Sequence, residues 1–340
     1  MKPARANKEL VRHALRHAGI FDVAFSTSIK PLIPWIKLTK RMGLANLPRT
    51  REMFISKGFL PLTNHYYEPF FDPGQLARPI SRVRSLPGLY LDEEKQLDLL
   101  RKLNFSAELE AFNFPQSSSD QLTFAVNNGS FVAGDFDFLY QFLRHTRPRK
   151  IIEIGSGNST KIMKLALEKN AIDEGRKAKH ICIEPFEQPW LESIGVDVIR
   201  RKVEECDIAL FIDLNAGDLL FIDSSHVIRP QGDVLFELLQ VVPSLKDGVY
   251  VHVHDIFSPR DYLDTYIIDH MRLWNEQYML EALLSHSDRY AVVAALNFLK
   301  HDHYEALRAC CPYLKPVIEP SSFYFQVRST ANALTNETRQ

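Results

Sequence analysis

Residues 149–328 of this 340-residue chain predict an α/β unit, a mainly parallel sheet covered by helices on both faces. Three observations predict it. Short apolar runs of strand length alternate with stretches of helical period. The first run closes on the turn Gly155-Ser156-Gly157, which opens into a helix. The second run closes on an acid, Glu184, followed at once by Pro185.

The elements follow in order. A helix precedes the first strand, with Asp135 placed to cap it and Phe136, Leu139, Tyr140 and Leu143 as its apolar stripe. Arg147-Pro148 ends it. Lys150–Ile154 reads as a short buried strand. A helix starts near Ser159 and keeps Ile162, Leu165 and Ala166 on one face. His180–Glu184, Val196–Ile199 and Asp218–Asp223 give the second, third and fourth strands. Val234, Leu235, Leu238, Leu239 and Val242 mark a helix from about Asp233. Lys246-Asp247-Gly248 turns into a fifth strand over 249–254. Two more strands are expected at 290–296 and 322–327, and the long stretch before the last allows it to run antiparallel.

Upstream and downstream the text changes. Residues 1–119 form a basic, proline-containing region, helical or irregular, placed to act as a lid or interaction segment. Residues 120–328 form the main domain, and 329–340 a polar tail. Apolar content of 45% and charged content of 24% are those of an ordinary globular chain. No run is long and apolar enough for a transmembrane helix, and no signal-peptide core follows Met1. The spacing of Cys182, Cys206, Cys310 and Cys311 fits neither a zinc site nor a disulfide framework, so a reduced, cytoplasmic protein is expected. Oligomeric state is not legible. Net charge is −1, yet residues 1–50 hold ten Lys/Arg against Glu9 and Asp22. The stretch Ile29–Leu38 mixes apolar and basic residues, which suits a membrane face or an acidic protein, although Pro31 and Pro34 interrupt a long helix. No basic-aromatic module suggests nucleic acid.

Glycine at 155 and 157 lets backbone approach a ligand closely, and the helix that follows offers unpaired N–H groups. Glu184 can accept hydrogen bonds from ribose hydroxyls. A dinucleotide fingerprint wants a third glycine at position 160, which is Thr160. A nicotinamide-dependent oxidoreductase is therefore the alternative rather than the first choice, and a catalytically silent binding protein of the same fold is a third.

Taken together, Ile152–Thr160, Ile183-Glu184-Pro185, Leu220–His226, Val251–Phe257 and Ser322–Phe325 resemble the class I S-adenosylmethionine (SAM)-dependent methyltransferases. The resemblance covers roughly residues 120–328. It implies a seven-stranded Rossmann-like sheet of order 3-2-1-4-5-7-6 with strand 7 antiparallel. It also implies that Glu153 and Gly155, Ser156, Gly157, Asn158 and Ser159 meet the cofactor, with Glu184 on the ribose and Glu204 near the adenine. Asp223 would lie alongside, and Asp135 within reach of the cofactor's amino group.

The fourth and fifth strands deliver Asp223, His226, His252, His254 and Asp255 to the sheet edge where α/β folds bind ligands. Histidine suits a general base near neutral pH, and carboxylates with imidazole suit a divalent cation such as Mg²⁺, Mn²⁺, Fe²⁺ or Zn²⁺. Asp223-Ser224-Ser225-His226 and His254-Asp255 resemble the metal-dependent sugar O-methyltransferases, which carry Glu where His254 stands. That resemblance implies Asp223, His254 and Asp255 around a cation, His226 as base with His254 as a second base, and a glycan or other polar small molecule as acceptor.

Overall fold

The computed structural model describes residues 17–186 and 188–329, which fall into two compact units divided between Leu76 and Ala77. Residues 1–16 and 330–340, and with them half of the basic N-terminal residues and nearly all of the polar tail, lie outside the described residues.

The first unit is helical, as expected. Helix α1 (Ala18–Ile29) passes through a single 3-10 turn carrying Pro31 into α2 (Ile33–Met42), with Pro34 in its first turn, and α3 (Pro48–Lys57) starts on a proline. Proline costs nothing in a first turn, where its missing N–H has no partner to lose. Gly58 ends α3 in the left-handed conformation.

The second unit contains the sheet, in the order β3-β2-β1-β4-β5-β7-β6. Strands β1 (Lys150–Ile154), β2 (Lys179–Ile183), β3 (Asp197–Ile199), β4 (Leu219–Ile222) and β5 (Tyr250–Val253) are parallel. The last strand, β7 (Phe323–Val327), runs antiparallel between β5 and β6 (Tyr290–Ala295). Asp218 fixes where β1 and β4 begin, because its carboxylate accepts from the backbone N–H groups of Arg149, Lys150 and Asn215.

Two apolar cores cover the faces. Phe138 and Phe142 pack on Tyr324 and Phe221 belongs to the same core, while Ile152, Leu220, Val251 and Phe325 head the opposite one. The boundary expected at 119 lies instead at 76–77. Residues 77–119 are part of the second unit because they bury side chains in it. Leu100, Leu103 and Leu109 join the first core, and Gln96, fully buried, accepts from Ala295 N–H at the end of β6. Arg144 adds an ionic clamp, donating to Glu108 at 2.8 Å and to Asp173 at 2.8 Å.

Helix α4 (Glu93–Lys102) and α5 (Ser106–Ala111) come from this segment, and α6 (Asp135–Thr146) precedes β1. The cap of α6 differs from expectation. Gly134 holds the cap position, and Asp137 accepts its N–H at 2.8 Å. Asp135 is the first helical residue, and its carboxylate reaches across to accept from Ser321 and Ser322 N–H before β7. Helix α7 (Asn158–Glu174) leaves the glycine turn. Helix α8 (Asp233–Phe236) continues through a π-helical turn at Glu237–Val241, and α9 (Glu276–Leu284) follows β5. No helix among the described residues is long and apolar enough to cross a membrane.

Candidate active site

Parallel strands β1, β4 and β5 bring their C-terminal ends together, so the loops after them share one edge. Gly155 follows β1 at φ +76°, and a Cβ there would sit 1.8 Å from the Asp223 carbonyl oxygen. Only glycine lets these two loops pass so closely.

Below this turn lies Glu153. It is fully buried and accepts from Ser159 Oγ at 2.6 Å, Thr160 Oγ1 at 3.0 Å and His180 Nε2 at 2.9 Å. Expected among the cofactor contacts, it instead braces the turn from beneath, because its strand position faces the α7 side. Ser159 is drawn down with it. Thr160 Oγ1 also accepts from Gly157 N–H at 2.9 Å, and Asn158 donates to Ser130 Oγ at 3.0 Å. Ser156 is buried. The turn is therefore built mainly by its own side chains, and it is Gly155 that meets open space.

That space is a cavity of about 250 Å³ lined by Gly155, Ile183, Glu184, Phe186, Val203, Glu204 and Asp223. Glu184, Glu204 and Asp223 thus line one cavity. Apolar Ile183, Val203 and Phe186 beside two carboxylates suit a flat base and its sugar hydroxyls. The donor set fits a nucleoside cofactor.

A second cavity of about 540 Å³ opens on the other side, lined by His254, Asp255, Arg260, Tyr262, Tyr266, Asn297, Glu319 and Ser321 among others. Asp223 lines the first cavity, and its Oδ1 lies 3.4 Å from His254 Nδ1 in the wall of the second. The acid-imidazole cluster is the partition between the two.

His226 is its centre. Nδ1 bonds Glu276 Oε2 at 2.8 Å, and Nε2 lies 3.5 Å from both Asp223 Oδ1 and Asp255 Oδ2. Burial opposes a charge on His226, but the Asp223 and Glu276 carboxylates prevail and push its pKa up to about 10. Burial likewise works against Asp223 ionising, yet His254 and His226 hold it far below the usual carboxylate range. His254 is raised against its burial by Asp223, Asp255 and Asp135, with Nε2 3.6 Å from Asp135 and 3.3 Å from Ser321 Oγ. His226 and Asp255 both sit at left-handed backbone angles, φ 60° and 55°. Such positions cost about 1 kcal/mol or more and persist where the surroundings enforce them.

Asp223, His226 and Asp255 each present a ligand atom within 4.8 Å of the others. Two carboxylates and an imidazole fit a divalent cation. His254 stays beside the same carboxylates: its Nδ1 lies 3.4 Å from Asp223 Oδ1 and 3.9 Å from Asp255 Oδ2, while its Nε2 faces Asp135 and Ser321. His252 belongs to the core. It is fully buried, stacks on Phe221 with centroids 3.8 Å apart, and bonds Ser322 Oγ at 2.9 Å. Asp135 lies 3.6 Å from His254 Nε2 and accepts from Ser321 and Ser322 N–H.

Glu276 was not legible from sequence. It lies fifty residues after His226, at the start of α9, within no motif. Asp233 and Glu237 also hold the loop, accepting from Ser225 N–H at 3.0 Å and Ser224 Oγ at 2.9 Å. His301, after β6, bonds Glu319 at 2.9 Å in the rim of the larger cavity.

Residues 152–256 match a family model described as a methyltransferase domain. An uncharacterized protein of Archaeoglobus fulgidus is 29% identical over 170 residues, spanning 46% of this chain and 74% of that protein. One similar solved structure is described as cmcI-D160 with Mg and SAM; it is 11% identical, covering 58% of this chain and 72% of its own, at a TM-score of 0.32. Another, described as a methyltransferase of Thermobifida fusca, is 11% identical, with coverage of 69% and 94% and a TM-score of 0.34.

Proposed function

We propose that this chain, a class I SAM-dependent methyltransferase, methylates a hydroxyl of a saccharide or another polar small molecule. One observation carries the reading: the Asp223–His226–Asp255 cluster forms the wall between a nucleoside-sized cavity and a larger polar one. Bound SAM supplies an electrophilic methyl group on its sulfonium. Glu184 and Glu204 hold its sugar and base ends in the smaller cavity. In the larger one, Tyr262 and Tyr266 offer aromatic faces while Arg260, Asn297 and Glu319 offer polar contacts, a mixture suited to a polyhydroxylated acceptor.

With the charge of Asp223 and Asp255 taken up by a cation held between them, His226 would be neutral; its Nε2, outside that ligand pair, then accepts the hydroxyl proton. Glu276 fixes the other ring nitrogen, so the tautomer and the direction of Nε2 are set before the acceptor arrives. Asp223 and Asp255 would hold a divalent cation, whose chemistry there is to lower the pKa of the acceptor hydroxyl. Most of the rate comes from positioning two reactants on either side of one partition.

A panel of sugars and polyols, assayed for methyl transfer from SAM, tests this. With an accepted substrate, His226→Gln lowers kcat by roughly 10²–10⁴-fold and leaves SAM affinity unchanged. Full activity in that variant, or methylation confined to amines and thiols, overturns the proposal.

A further inference from the structure

The first unit presents a surface that the chemistry does not use. Within that unit, no residue of α1 is buried, although it carries Ile20, Phe21, Val23 and Phe25. In α2, Trp35, Leu38 and Met42 recur at three- and four-residue spacing on one stripe, and all are exposed, Trp35 to 69%. Ile20 and Val23 are exposed to 75% and 66%. Water-soluble surfaces rarely leave a contiguous apolar patch beyond a few hundred Å² uncovered.

The charge around this patch identifies what covers it. Residues 17–57 contain Lys30, Lys37, Lys40, Arg41, Arg49, Arg51 and Lys57 against Asp22 and Glu52. Lys40 is engaged by Glu68 at 2.6 Å within the same unit. Lys30, Lys37 and Arg41 are exposed beside the apolar side chains. An apolar stripe with a tryptophan, edged by cations that outnumber the acids of the segment, has the chemistry of a segment lying in the interface of an anionic bilayer. No helix among the described residues is long and apolar enough to span one. A second copy of the same basic surface would place like charges opposite each other.

We propose that residues 17–57 dock the protein on the headgroup region of an anionic lipid membrane, with α1 and the Trp35 stripe inserted shallowly and Lys30, Lys37 and Arg41 at the lipid phosphates. This stands apart from the methyl-transfer chemistry.

Co-sedimentation of the full-length protein with vesicles tests it. Vesicles of equal parts phosphatidylcholine and phosphatidylglycerol should carry the protein down, and pure phosphatidylcholine at least about tenfold less. Binding should weaken as salt is raised. Lys37→Gln and Arg41→Gln should each weaken it by about fivefold, and Trp35→Ser more. These exposed positions leave SAM affinity and thermal stability unchanged, which separates lost docking from lost folding. Three results overturn the proposal: no binding to the anionic vesicles, equal and salt-insensitive binding to both, or a concentration-dependent dimer in sedimentation equilibrium that Trp35→Ser abolishes. The last assigns the face to a second copy of the chain.

Discussion

Gly155→Ala tests the close passage on which the cofactor cavity depends. Alanine at φ +76° carries a left-handed penalty of about 1 kcal/mol. Its methyl would also lie 1.8 Å from the Asp223 carbonyl oxygen, where real Cβ contacts stay beyond 3.0 Å. The carbonyl has little freedom to retreat, because Asp223 N–H is bonded to Ile154 O at 2.9 Å and Gly155 N–H to Ile183 O at 3.1 Å. The turn must lift, or the strands must part, by about an ångström, an overpacking cost of about 1–3 kcal/mol. The total, about 2–4 kcal/mol, lowers Tm by roughly 5–15 °C for a unit of this size. Gly155 and Asp223 share the cavity wall, so SAM affinity by calorimetry should fall at least about tenfold alongside. Gly157→Ala is the control: its backbone is extended and the nearest atom, Gln188 Nε2, is 3.9 Å away. If Gly155→Ala melts and binds SAM like the parent, or if Gly157→Ala does equal damage, the reasoning fails.

Four further outcomes follow from the site and its supports. Glu276→Gln removes the carboxylate on His226 Nδ1, a charge-assisted bond worth about 1.5–3 kcal/mol, so the acid limb of the kcat/KM profile should move down by about 1–2 pH units; an unmoved limb excludes His226 as the titrating base. The same raised pKa means that, without a cation, His226 contributes stability below about pH 6.5 that is lost as pH rises toward about 10, and Glu276→Gln should flatten that decline in Tm. Chelation should cut turnover by at least about tenfold, with recovery on adding Mn²⁺ or Mg²⁺ to the parent but not to Asp255→Asn; turnover indifferent to chelator and to added ions removes the cation from the site. Finally, Arg144→Met strips the clamp on Glu108 and Asp173 and should cost about 2–4 kcal/mol in denaturant unfolding, as one cooperative transition; a separate early transition of residues 77–119 would show that they do not fold with the sheet.

The strands and the glycine turn were legible because their signals are local. Ile151, Ile152 and Ile154 announce a buried strand, and Gly155 announces the turn that ends it. The order of the strands came with the family resemblance rather than with periodicity. Glu184 and Asp223 stand out in sequence because strand ends in a parallel sheet converge on one edge, whereas Glu204 came with the family resemblance; all three line one cavity. Glu153 was misread because the same motif position can serve the ligand or the turn, and only the surrounding Ser159, Thr160 and His180 decide between them. That both His226 and His254 present a nitrogen to Asp223 and Asp255 was hidden for a related reason. Which way each ring points depends on backbone angles at 226 and 255 that no pattern encodes. Glu276 and residues 77–119 were missed because long-range burial leaves no short motif.

Those two left-handed positions constrain how the enzyme can change. Aspartate and histidine are among the few residues that enter such angles readily, whereas branched or bulky side chains do not. A lineage seeking new chemistry cannot simply try another base at 226 or a longer acid at 255, since each trial must first bear the conformational cost on top of lost contacts. Diversification is therefore channelled outward, to the Arg260, Tyr262 and Glu319 side of the larger cavity, where residues can be exchanged without disturbing the reactive pair.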